Sequence, residues 1–109
     1  MTIKDIITAV GGEMLTTTPI DGVDAKGCYV CDLLSLAMSK VSAGDVWITV
    51  QANVNIAAVA VLTEAACVLI AEGMNIEDSV IAKANNEGVI IIRTEKNAFE
   101  CAMAIGKSL

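Results

Sequence analysis

The stretch from Gly44 to Leu62, GDVWITVQANVNIAAVAVL, decides how the rest of the chain is read. Val46 to Val50 is β-branched and aromatic, too short for a helix, and opened by the turn-forming pair Gly44-Asp45, so it reads as a buried strand. Gln51, Ala52 and Asn53 end that strand. Asn53 or Asn55 can then cap a helix, because an Asn side chain accepts a hydrogen bond from the unpaired N–H groups of a first turn, and Ile56 to Leu62 carries the helix onward. The unit is a strand, a polar loop at its carboxyl end, and a helix.

Working outward, the same alternation recurs on both sides. Before the unit, Thr2 with Asp5 resembles a capping box, and Ile3, Ile6, Ile7 and Val10 form a helical stripe that stops at Gly11-Gly12. Glu13 to Thr18, followed by Pro19, reads as a short edge strand. Gly27 to Cys31 reads as another strand, and Asp32 stands where it could cap a helix carrying Leu33, Leu34, Ala37, Met38 and Val41. After the unit, Cys67 to Ala71 and Val89 to Ile92 are apolar at every position, the signature of strands buried on both faces. Between them, Ile76, Val80, Ile81 and Ala84 keep helical spacing up to Gly88, a natural left-handed terminator. A last helix runs from about Lys96 to Gly106. Strands alternating with helices of about three turns predict an α/β fold: three layers, a mostly parallel five-stranded sheet, and helices on both faces.

Composition narrows the function. At 109 residues the chain is expected to form one domain, 1–109, with a single core. Apolar residues make up 55% and charged residues 18%, a balance that predicts apolar surface left over for self-association. A net charge of −6 with seven scattered basic residues argues against a nucleic-acid partner. No apolar run approaches the ~20 residues that span a bilayer, and no signal peptide is evident, so the expectation is a cytoplasmic protein without membrane contact. Cys28, Cys31, Cys67 and Cys101 sit within apolar runs, as buried free thiols do. With no histidine in the chain, Ser/His and Cys/His catalysis and every His-containing zinc site are excluded.

Few residues carry a chemical signal. Gly106-Lys107-Ser108 resembles the tail of a phosphate loop, but Cys101 stands where that motif requires glycine, and the segment ends a helix instead of opening one. Cys28 and Cys31 have redox or metal spacing, yet residues three apart on a strand point to opposite faces. No paired carboxylates or nucleophile elbow are present, so no enzymatic activity and no cofactor are expected. There remain the loops at the strands' carboxyl ends, where open parallel sheets hold ligands: Gln51, Ala52, Asn53 and Asn55; Glu72 and Gly73; Arg93 and Thr94. Arg93 is the lone arginine. Three arguments make these residues the candidate site for a small anionic or nucleotide-like metabolite: the crevice rule, the free N–H groups of helix N-termini, and the arginine beside them. Glu72 opposes it, since a carboxylate there repels an anion or pairs with Arg93 and occupies it. The competing outcome is an ion-paired Arg93 with no open cavity.

The ordered motifs Asp-Leu-Leu-Ser at Asp32 to Ser35, Gly-Asp-Val-Trp-Ile-Thr at Gly44 to Thr49, Gln51 followed by Asn55-Ile56, and Thr94 with Ala98-Phe99-Glu100 resemble the DRTGG domain family, specifically its small stand-alone members. The resemblance covers essentially the whole chain. The Asp-Arg and Thr-Gly-Gly segments that name the family fall near Ala52-Asn53 and Ala71-Glu72-Gly73, where only Gly73 is retained, and stand-alone members often carry His where this chain has Asn53. The resemblance implies a three-layer α/β module of the kind found, without catalytic role, in phosphate acetyltransferases, CBS-domain pyrophosphatases and the N-terminal half of HPr kinase. It also implies dimer contacts and, for stand-alone members, association with iron-only hydrogenase genes and so a hydrogenase-related partner. The kinase chemistry of HPr kinase belongs to a phosphate-loop domain outside the resemblance.

Two functions of different class follow. One is a homodimeric regulatory or interaction module, its interface on the Asn55 to Thr63 helix or the Asp32 to Val41 helix. The other is a metal- or redox-handling accessory protein that uses its cysteines, with Cys28 and Cys31 as the weaker candidates for a metal.

Overall fold

A computed structural model describes all residues from Met1 to Leu109. The elements in chain order are α1 (Ile3–Val10), β1 (Glu13–Met14), β2 (Gly27–Val30), α2 (Leu34–Lys40), β3 (Asp45–Thr49), α3 (Ile56–Thr63), β4 (Cys67–Ile70), α4 (Asp78–Asn86), β5 (Ile91–Arg93) and α5 (Ala98–Gly106). The strands form one five-stranded sheet in the order β1-β5-β4-β3-β2. β2 to β5 run parallel, and β1 is antiparallel, with Glu13 beside Arg93. The fold is the expected three-layer α/β architecture, with the all-apolar β4 at the centre.

Alternation along the strands divides the core. Trp47, Val68, Ile70 and Ile91 face one side, where Ala37 of α2, Ile56 and Ala60 of α3 and Val80 and Ala84 of α4 cover them. Val46, Ile48, Cys67, Leu69 and Ile92 face the other, under Ile3, Ile6 and Val10 of α1 and Cys101 and Ile105 of α5. Successive strands from β2 to β5 step in one direction across the sheet, so right-handed crossovers place all three connecting helices on the same face. Trp47 is fully buried, and its indole N–H donates to the Cys31 carbonyl at 2.9 Å, which removes the one polar atom it would otherwise strand.

The helix ends are where local chemistry and sequence reading part. The capping box at Thr2 and Asp5 forms as expected, and a second forms at Asn97 and Glu100, one position after the expected start at Lys96. Asp32 does not cap α2. Its carboxylate instead accepts from the Thr49 hydroxyl at 3.0 Å and the Val50 amide at 2.9 Å, tying the end of β2 to the end of β3. Asn55 precedes α3 but makes no capping bond, and the Asn53 side chain accepts from the Asn55 amide at 2.7 Å in an Asx turn. α4 begins at Asp78 and not at Ile76, although Ile76 still packs on the core.

β1 and β5 are shorter than the residue pattern suggests. β1 stops at Met14 because Thr16 turns its buried hydroxyl to the Ile91 amide at 3.1 Å, a side-chain bond in place of the ladder. β5 begins only at Ile91, where its pairing with Val68 of β4 starts, although Val89 and Ile90 are buried and the Ile90 carbonyl accepts from the Val68 amide.

Candidate functional site

The carboxyl ends of β2, β3, β4 and β5 bring the residues singled out from the sequence to one end of the sheet. α4 leaves β4 toward one face and α5 leaves β5 toward the other, so the gap between β4 and β5 is the place where a ligand crevice would open. The chain fills that gap itself. Glu72 and Gly73 both adopt left-handed backbone, with φ of 64° and 61°, and form a tight turn in which the Met74 amide returns to the Ala71 carbonyl. The Glu72 and Gly73 amides are spent on the Lys96 and Thr94 carbonyls at 2.9 and 2.8 Å. A side chain at position 73 would strike Glu95.

Arg93 is the centre of this closure. Its guanidinium pairs with Glu13 at 2.9 Å and Glu95 at 3.4 Å, and donates to the carbonyls of Gly73 at 2.7 Å and Met74 at 3.0 Å. The carboxylates that engage it are thus Glu13 and Glu95, not the anticipated Glu72. Both are exposed, with side-chain accessibilities of 62% and 81%. Thr94 is buried and donates its hydroxyl to the Val10 carbonyl at 2.7 Å, fastening α1 to this end.

The neighbouring loop is more open. Gln51 donates from its side-chain amide to the Asp32 carbonyl at 2.8 Å, while Asn53, Val54 and Asn55 are exposed and no side chain caps α3. Of the candidate residues, the structure brings Glu72, Gly73, Arg93 and Thr94 into one network and leaves Gln51, Ala52, Asn53 and Asn55 in a separate loop after β3. Asn55 lines a groove of the surface; the other candidates line none.

That groove is the feature sequence reading only half found. Leu34, Ser35 and Met38 of α2 face Asn55, Ala58, Val59 and Leu62 across a cleft of about 300 Å³ without a charged side chain. Leu62 is 64% exposed, and Met38 and Val61 are also exposed. The helices named separately as interface candidates are therefore one surface.

The cysteines are placed for packing. Cys28 faces the α1/α5 side and Cys31 the α2/α3 side, as strand alternation requires. Burial pushes the Cys67 thiol up to about 12, and burial with the nearby Asp45 and Glu100 carboxylates pushes Cys28 and Cys101 up to about 11. Thiols held protonated this way are poor nucleophiles and poor ligands. No group of three or more Cys, Asp or Glu side chains is arranged to hold a metal ion.

The architecture is shared with a known structure. The crystal structure of the CBS and DRTGG domains of the regulatory region of Clostridium perfringens pyrophosphatase, complexed with its activator diadenosine tetraphosphate, superposes with a TM-score of 0.82 at 17% identity. The match covers 99% of this chain and 47% of that one, so this chain spans about half its length. No curated protein sequence matches. No helix is long and apolar enough to cross a membrane. The family model for the DRTGG domain matches residues 5–108, nearly the full length, and the chain belongs to the DRTGG domain family.

Proposed function

We propose that this protein is a non-catalytic regulatory or interaction module that works as a homodimer, two copies meeting through the α2/α3 face. The observation that carries the proposal is the charge-free groove between Leu34, Met38, Ala58 and Leu62. α3 is apolar around its circumference, and only Ile56, Ala57, Val59, Ala60 and Thr63 are buried, beneath the sheet and the neighbouring helices. A helix of that kind is normally buried on all sides, and a two-fold contact covers the remainder with the same patch from a second copy. Family membership supports the regulatory part, as does the likeness to a pyrophosphatase regulatory region.

A small anionic or nucleotide-like ligand at the carboxyl ends of the strands completes this reading. Arg93 is engaged, but two of its partners are exposed carboxylates, and such surface pairs contribute only about 0–1 kcal/mol. An anion that displaces Glu13 and Glu95 would inherit a guanidinium already oriented by the Gly73 and Met74 carbonyls. Diadenosine tetraphosphate in the Clostridium perfringens region makes nucleotides the first class to test. Thermal shift against adenine nucleotides and acyl phosphates, on the wild type and on Arg93→Ala, decides the point. A ligand at a hundred times its dissociation constant stabilises the fold by about 2.7 kcal/mol. A shift in the wild type that disappears in Arg93→Ala is the expected result; no shift at millimolar ligand leaves the dimeric interaction module alone.

A further inference from the structure

The face of the sheet opposite α3 carries an exposed feature with a different electrostatic character. Phe99, the only phenylalanine, is the most exposed large apolar side chain of the protein at 71%, and Met103, one turn further along α5, is also exposed. Together with Ala9 of α1 and Ala104 they line a groove of about 280 Å³ between α1 and α5. Lys96 and Lys107 stand at its two ends, and neither is in a salt bridge. The helix between them, Ala98–Gly106, is about 14 Å long. The acid in the groove, Glu100, is turned back to accept from the Asn97 amide at 3.1 Å, and Asp5 lies in the adjoining cleft toward the start of α1.

This arrangement selects against a second copy. An antiparallel contact of two α5 helices sets Lys96 of each against Lys107 of the other, and a parallel one sets each lysine against its equal. Either way like charges meet. The uncharged α2/α3 groove has no such conflict, so charge assigns the two faces to different partners. In a chain of net charge −6, two unpaired lysines bracketing an exposed aromatic ring and a methionine suit an apolar segment with acidic ends. We propose that the α1/α5 groove docks an acidic amphipathic helix of another protein, its apolar side chains on Phe99 and Met103 and its carboxylates on Lys96 and Lys107, the helix-in-groove mode of recognition.

The test uses two synthetic amphipathic helical peptides with the same leucine face, one flanked by glutamates and the other by lysines, titrated into the isotope-labelled full chain. The acidic peptide is expected to shift the amide resonances of α1 and α5 and leave α2 and α3 unmoved. The Phe99→Ala change, at an exposed position, should weaken binding about ten-fold or more. Lys96→Glu with Lys107→Glu should reverse the preference between the peptides. Equal affinity for both peptides, shifts confined to α2 and α3, or no shift with the acidic peptide at millimolar concentration would overturn the proposal. Retained dimer mass in the Phe99→Ala variant separates this surface from the self-association proposed above.

Discussion

Glu64 ends α3 in the left-handed region, at φ 58°, with its amide on the Ala60 and Val61 carbonyls. A non-glycine residue there is strained by roughly 1 kcal/mol, so Glu64→Gly should raise the unfolding free energy by several tenths of a kcal/mol or more, measured by denaturant titration; a lower value would contradict the cap assignment. Cys67 makes stability depend on alkaline pH. Its thiol ionises near 9.0 in an unfolded chain and only at about 12 when buried. The unfolded state therefore releases its proton first, and this contribution to stability is present below pH 9 and lost as pH rises toward 12. For Cys67 the slope should reach about −1.4 kcal/mol per pH unit, and the Cys67→Ala variant should be flatter over the same range. Single residues were the least legible part of the sequence. Asp32 stands where a cap belongs, but a carboxylate reaches a neighbouring strand as readily as its own helix, and only the parallel placement of β2 beside β3 shows which it does. Arg93 was legible as the lone arginine; its pairing with Glu13 was not, because their contact depends on β1 lying antiparallel against β5.

Elements were read more securely, since periodicity averages over many side chains. All five helices and all five strands overlap the expected stretches, with β3 opening one residue early at Asp45 and β5 running on to Arg93, and the largest departure is at β1, where the Thr16 hydroxyl replaces a backbone partner. α3 is the informative case. Its uniform apolarity showed that something beyond the sheet must cover it, and the structure adds that α2 does not do so completely: Ala58, Val61 and Leu62 stay exposed. An exposed residue can be changed without disturbing the core. Ala58→Glu and Val61→Glu should each keep the native circular dichroism spectrum and a cooperative melt while dissociating the dimer, because a charge inside an apolar contact without a partner is costly. Loss of the fold, or an undisturbed dimer in both, would remove α3 from the interface.

For the molecule as a whole, strand order and charge distribution together assign its surfaces. The gap between β4 and β5 is where a parallel sheet would hold a ligand, and here the Glu72-Gly73 turn and Arg93 occupy it. The sequence showed which loops gather there but not that their amides are spent on one another. The α1/α5 groove is lined by unpaired lysines around Phe99, and the α2/α3 groove is lined by no charged side chain. Self-association through that neutral face is the claim on which the regulatory reading rests. Static light scattering at micromolar concentration tests it directly. The expected mass is 22.6 kDa, twice the 11.3 kDa of one chain, with Ala58→Glu at the single-chain mass. A wild-type mass of 11.3 kDa at that concentration would contradict it.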